Sequence, residues 1–318
     1  MSTSYSPESA DKPPLALIAG PTASGKSDMA VQLAEALAAK GRKGVIINAD
    51  SAQVYADLQI LSARPSAAEM RGIEHRLFGM WDGAAACSAA DWAQAARAEI
   101  DAVHRDGGIP VLVGGTGLYI RTLLDGIAPV PPIDPAIRAS VRALPVPDAY
   151  AALIKEDPAR AARLAPADTT RVARALEVVR STGRVMAAWQ AEKVGGIAGQ
   201  VALHPAVLLP SRAWLYDRCD RRFSKMLGCG AIDEVRALID RQIDTAMPVM
   251  RAIGVPEISD FLAGKIDFAV LEARGAQATR NYAKRQYTWF RQQTPDTWPR
   301  LADIDYNLDD IFASLCRT

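Results

Sequence analysis

Three short, unbroken apolar runs stand out against longer stretches of helical periodicity: LALIA at 15–19, VII at 45–47 and IPVLV at 109–113. Rich in Val, Ile and Leu and too short for helices, they read as strands buried on both faces. A segment of helical composition follows the first as far as Lys40, and an apolar, helix-like stretch follows the third after GGTG at 114–117. Strand and helix in alternation predict a parallel sheet covered on both sides, and HPAVLLP at 204–210 looks like a strand returning to it. In such sheets ligands sit beyond the carboxyl ends of the strands. Gly20, Asp50 and Gly114 to Thr116 all fall there, so three separate pieces of chain should converge on one crevice.

The pattern changes at IAPVPPIDP, residues 127–135, where four prolines in nine residues mark an exit from the core. From there to about Gly199 the periodicity is helical. Asp168 or Thr169 can cap TTRVARALEVVRST, with Arg171 and Arg174 on one face and Gly183 at its end. The chain therefore divides into a disordered leader at 1–13, an α/β core at 14–129 and 204–318 that ends in helices, and a helical insertion at 130–203.

Composition excludes more than it selects. With 318 residues, 49% hydrophobic and 23% charged, the chain has the make-up of a globular protein with a substantial core. The N-terminus lacks a signal-peptide pattern and no apolar run approaches spanning length, so a cytoplasmic location and no membrane partner are expected. Cys87, Cys219, Cys229 and Cys316 are scattered, with no paired spacing for zinc, and should be reduced. Charge is nearly balanced overall at +1, but residues 133–200 carry ten basic against seven acidic side chains, and 274–300 carry six against one. Such patches are usually solvated faces, yet a polyanion could use them.

The chemistry begins at GPTASGKS, residues 20–27. Gly20, Gly25, Lys26 and Ser27 fit the phosphate-binding loop, in which backbone N–H groups and a lysine cradle phosphate oxygens and the hydroxyl reaches Mg²⁺. The intervening Pro21, Thr22, Ala23 and Ser24 belong to the same cradle. Thr22 could donate to a bridging oxygen or only bond its own turn. Asp50 could support Mg²⁺ or act as a general base. The loop alone would also serve a small-molecule kinase, or an RNA-binding protein without transfer chemistry.

GPTASGKS followed by DSAQVY at 50–55 resembles the tRNA dimethylallyltransferase family of P-loop prenyltransferases. GGTGLYIRTLLDG at 114–126, RVARALEV at 171–178, RAIG at 251–254 and TRNYAKRQYTWFR at 279–291 resemble further blocks of that family in the same order. The likeness covers nearly everything from Leu15 to Arg291 and is to the bacterial type. Two places depart from it: Gln59 to Pro65 stand where relatives read D-I-G-T-A-K-P, and Val255 stands where an aromatic is common.

The resemblance implies transfer of a dimethylallyl group from its pyrophosphate to N6 of the adenosine 3′ of the anticodon. It implies Mg²⁺ as cofactor, the tRNA anticodon stem-loop as partner, and a chain working as a monomer. Asp50 would take the amine proton, with Thr22, Lys26 and Arg236 on the pyrophosphate; from sequence alone, Arg236 in DEVRAL is equally a solvent-facing helix arginine. Asp50, Ser51, Ala52, Gln53, Thr116, Arg138, Thr170, Arg171, Val172, Ala173, Arg174, Arg251, Ala252, Ile253, Gly254, Val255 and Pro256 match positions that bind tRNA. Trp289 and Phe290 could stack bases or line a buried helix face. The alternative within this chemistry is an adenylate isopentenyltransferase acting on free AMP, ADP or ATP, which shares the loop and the D-S-x-Q motif.

Overall fold

The structure, a computed structural model, describes residues 12–302 and 306–316. Residues 1–11, most of the expected leader, lie outside the described residues. The apolar runs form the strands β1 (Pro14–Ala19), β2 (Gly44–Asn48) and β4 (Ile109–Gly114), and the returning strand is β5 (Ala202–Leu208). Two further strands, β3 (Glu74–Arg76) and β6 (Arg300–Leu301), complete one all-parallel sheet in the order β3-β2-β4-β1-β5-β6. These two are the sheet's edges. They were not legible as strands because three half-buried polar residues and a two-residue pairing carry no apolar run.

β1, β2 and β4 are buried along nearly their whole length, as strands covered on both faces must be. One cover is α1 (Lys26–Ala39), whose Met29, Leu33 and Leu37 are fully buried against Ile18, Ile46 and Val111. α2 (Ala89–Arg105) starts in a capping box between Ser88 and Asp91 and sends Trp92 to donate to the Asn48 carbonyl at 2.9 Å. α3 (Gly117–Asp125) follows β4 directly.

The chain separates into two compact units, one running through Leu123 and resuming at Ile197, the other Leu124–Gly196. The helical unit thus lies earlier at both ends than 130–203. Its neck is closed by a reciprocal pair of hydrogen bonds between Ile127 and Val194, at 2.9 and 3.0 Å, and β5 already begins at Ala202. Within it, α4 (Pro135–Arg142), α5 (Val146–Glu156) and α6 (Thr169–Thr182) pack around Val141, Leu153, Val172 and Leu176. Asp168 caps α6 by accepting from Arg171 N, and Gly183 ends it in the left-handed region at φ 66°.

Beyond β5 the first unit continues with α7 (Arg212–Gly228), α8 (Ala231–Asp240), α9 (Val255–Leu262) and the long α10 (Phe268–Gln293). α7 and α10 meet closely at Gly275: a β-carbon there would stand 2.0 Å from the Phe223 ring. Cys87, Cys219 and Cys316 are buried thiols and Cys229 is exposed; none is in a disulfide. Among the described residues no helix is long and apolar enough to cross a membrane.

Candidate functional site

Gly20 leaves β1 against β5 so tightly that a β-carbon would come within 2.7 Å of the Leu208 carbonyl oxygen. Gly25 then turns the chain at φ 95° to open α1, a conformation that favours glycine. The loop between β1 and α1 is thus turned by the two glycines of the GPTASGKS pattern. Lys26, the first residue of α1, is 9% exposed and donates to the Pro21 carbonyl at 3.2 Å. Burial brings its ammonium pKa down to about 8, with Asp50 opposing the shift and Arg222 adding to it. The Ser24 hydroxyl is buried with no hydrogen-bond partner, and Ser27 is exposed at the start of the helix.

Three residues from the C-terminal helices fix this loop. Gln286 on α10 accepts from Thr22 N at 2.7 Å and donates to the Gly115 carbonyl at 2.8 Å, clamping the loop to the end of β4. Arg222 on α7 donates to Thr22 Oγ1 at 3.3 Å, and Arg218 donates to the Ala23 carbonyl at 2.9 Å. Burial lowers the Arg222 pKa, and Asp50 is its first compensating charge.

Asp50 lies just past β2, 8% exposed. Asn48 brackets its backbone, donating to the Asp50 carbonyl at 3.0 Å and accepting from Asp50 N at 2.9 Å. Asp50 Oδ1 accepts from Ala52 N at 3.0 Å, which orients the carboxylate. Thr116 Oγ1 accepts from Ser51 N at 2.9 Å and sets the next residue. The buried Tyr282 hydroxyl bonds to Thr116 and Ser51, and burial raises its pKa.

These groups open on one cavity of about 290 Å³. Its polar wall holds Thr22, Asp50, Ser51 and Arg222, and aromatic faces come from Tyr55, Tyr119 and Tyr282. Tyr119 is stacked on Trp92 at 4.5 Å between ring centroids, which holds it rigidly. The remaining lining is largely apolar and includes Leu61, Phe223, Met226 and Ile253.

Of the residues expected at the site, Thr22, Asp50, Ser51, Ala52, Arg251, Ala252 and Ile253 line this cavity, with Lys26 in electrostatic contact with Asp50 beneath it. Arg236 does not. It stands on the outer face of α8, half exposed, in an ion pair with Asp233 one turn away, whereas Arg222 reaches the Thr22 hydroxyl. DRRFSKM at 220–226 offers three consecutive charged residues, and only packing tells which of them turns inward.

Gln53 is occupied elsewhere, donating to the Ser62 and Ala63 carbonyls at 3.1 and 2.8 Å. The departing turn at 59–65 is nevertheless well held. Glu234 on α8 accepts from the backbone N–H groups of Gln59, Ile60 and Leu61 at 2.6, 2.7 and 2.9 Å. Gly254 (φ 93°) and Val255 are buried at the start of α9, where Val255 fills core rather than presenting a face. Pro256 is exposed on α9. Phe290 is fully buried, and Trp289 packs on Gly117 beneath Arg121.

In the Leu124–Gly196 unit, Thr170 and Arg171 are exposed and Ala173 is half-buried. Val172 is 1% exposed and belongs to that unit's core, so its side chain offers nothing to a partner. Arg138 and Arg174 share one buried carboxylate, Glu177, at 4.0 and 3.9 Å, together with Arg142 at 2.8 Å. Three guanidiniums on one carboxylate leave a local excess of positive charge.

A family model described as IPP transferase matches residues 53–293. The chain is 63% identical over 305 residues to a protein of Erythrobacter litoralis named tRNA dimethylallyltransferase, covering 96% of each. It is 62% identical to a like-named protein of Novosphingobium aromaticivorans, covering 87% of this chain and 99% of that one. Among solved structures, a tRNA isopentenylpyrophosphate transferase from Bacillus halodurans matches with a TM-score of 0.67 and 34% identity, over 96% of this chain and 95% of that one. A eukaryotic dimethylallyltransferase captured acting on tRNA matches with a TM-score of 0.74 and 28% identity, over 87% and 70%. An all-parallel sheet with a glycine-turned loop after β1 and a carboxylate after β2, two strands away, matches relatives of this identity and coverage, and the chain belongs to the IPP transferase family.

Proposed function

We propose that the chain transfers a dimethylallyl group from dimethylallyl pyrophosphate to N6 of the adenosine 3′ of the anticodon in tRNA, releasing pyrophosphate. The observation that carries this reading is the lining of the cavity, where Asp50, Thr22 and Arg222 stand with Tyr55, Tyr119 and Tyr282 and with Leu61, Phe223, Met226 and Ile253, while Arg251 and Arg285 add positive charge.

The amine of adenine is a poor nucleophile because its lone pair is delocalised into the ring. Asp50, oriented through Ala52 N, accepts its proton as the new N–C bond forms. The allylic C–O bond breaks in the same event, and negative charge gathers on the departing pyrophosphate. Lys26, Arg222, the Thr22 hydroxyl and the N–H groups of the loop are fixed beforehand where that charge develops. The role expected of Arg236 thus passes to Arg222. Tyr55, Tyr119 and Tyr282 offer faces for a base drawn out of its stack.

Among the described residues no group of three acidic, histidine or cysteine side chains could hold a metal ion. Mg²⁺ would therefore be held by the exposed Ser27 hydroxyl together with donor phosphate oxygens, supplying charge neutralisation to the leaving group. The exposed arginines of the 124–196 unit suit tRNA phosphates, in a monomer working in the cytoplasm. Supplying unmodified tRNA, AMP and ATP in parallel with labelled dimethylallyl pyrophosphate tests the reading. Label in tRNA alone is expected; label in free nucleotides with none in tRNA overturns it.

A further inference from the structure

The apolar end of the cavity is built differently from the phosphate end, and its closure depends on one turn of chain. Along α7 the lining changes within a single turn. Arg222 bonds Thr22, whereas Phe223 and Met226 present apolar surface to the same cavity. From Arg222 to Met226 the helix advances about 6 Å, comparable to the reach of a short prenyl chain.

Leu61 meets Phe223 at that end. A β-carbon on Gly254 would lie 2.7 Å from Leu61 Cδ2 and 3.3 Å from Phe223 Cε2, so both side chains close over the same glycine. A second packing contact fixes Phe223, whose ring also fills the hollow at Gly275. Leu61 has no such freedom to be elsewhere either, because the Glu234 carboxylate holds the amides of residues 59, 60 and 61 together. Gln53 secures the following two carbonyls from the other side.

We infer that Leu61, held in place by Glu234, is the stop that sets the length of prenyl chain the cavity accepts. This rests on the prenyl-transfer reading above. Leu61 touches only the chain of the donor, so it determines specificity without entering the chemistry. Glu234 acts through Leu61 and is a positioning residue. Removing the leucine side chain would open the far end toward a second isoprene unit, and enlarging it would shorten the space available to the first.

The test measures kcat and KM for dimethylallyl and geranyl pyrophosphate, with unmodified tRNA as acceptor, in the wild type, Leu61→Ala, Leu61→Phe and Glu234→Gln. Leu61→Ala should raise the geranyl-to-dimethylallyl ratio of kcat/KM about tenfold or more, in the range that a few methylenes command in an apolar pocket. Leu61→Phe should raise KM for dimethylallyl pyrophosphate and leave KM for tRNA unchanged. Glu234→Gln, which loses one of two shared oxygens, should shift selectivity in the same direction as Leu61→Ala but less. A Leu61→Ala ratio within twofold of wild type overturns the inference. If that variant does not fold, an unchanged donor KM in Leu61→Phe overturns it. Failure of the wild type to prenylate tRNA from either donor instead overturns the parent reading.

Discussion

α7 and α8 are consecutive helices joined through Gly230, and each carries an arginine that it uses in the opposite way. On α7, Arg222 turns inward, loses its water and shares the cavity with Asp50, with Lys26 close enough to feel both charges. On α8, Arg236 turns outward into a solvent-exposed pair with Asp233, worth little in water, while the inward face of the same helix is given to Glu234. A buried guanidinium can act on a developing charge; an exposed one contributes mainly to encounter with a polyanion. The arginines that Glu177 gathers in the 124–196 unit follow the exposed pattern, although the carboxylate they share is buried.

The largest effect should come from the carboxylate that Arg222 faces. Asp50→Ala is expected to lower kcat by about 10²- to 10⁴-fold with little change in tRNA affinity; equal losses in both, measured by single turnover and filter binding, would make Asp50 an RNA contact. Arg222→Ala should cost about 10²-fold in kcat/KM for the pyrophosphate donor, the scale of one lost charge-stabilising donor. The pH profile sharpens the same point. The lowered pKa of Lys26 means that its charge is present below about 8 and lost as pH rises through that value. Donor kcat/KM should therefore fall above pH 8, approaching tenfold per pH unit, and Lys26→Arg should remove that inflection whatever its overall rate.

Smaller effects belong to the exposed side of the comparison. Arg171→Ala should weaken tRNA binding several-fold and reduce the slope of log K against log salt by about one, without changing kcat at saturating tRNA. Arg236→Ala should leave donor kcat/KM within about twofold of wild type. A loss matching that of Arg222→Ala would erase the distinction between the two helices.

How much of this was legible in the sequence depended on whether the signal was local. The phosphate loop, the carboxylate after β2 and the capped helix from Thr169 were readable because each depends on residues within a few positions of one another. The edge strands were not, since their pairing is defined by neighbours far along the chain. Gln286 lay within the quoted block TRNYAKRQYTWFR, yet its clamp on Thr22 spans 264 positions and leaves no pattern around it. Arg222 was not singled out for a related reason: helical arginines look alike until packing decides which face is buried. The turn at 59–61 is held by Glu234, a contact no local rule could anticipate.

The central claim is that the loop of residues 20–27 holds the pyrophosphate of an isoprenoid donor. It is tested most directly by counting pyrophosphate released against prenylated adenosine formed, from unmodified tRNA, dimethylallyl pyrophosphate and Mg²⁺ with no ATP present. The account predicts equal amounts of the two products, with both lost together in Lys26→Ala and Arg222→Ala. A requirement for ATP, or prenylation that persists at the wild-type rate in both variants, would contradict it.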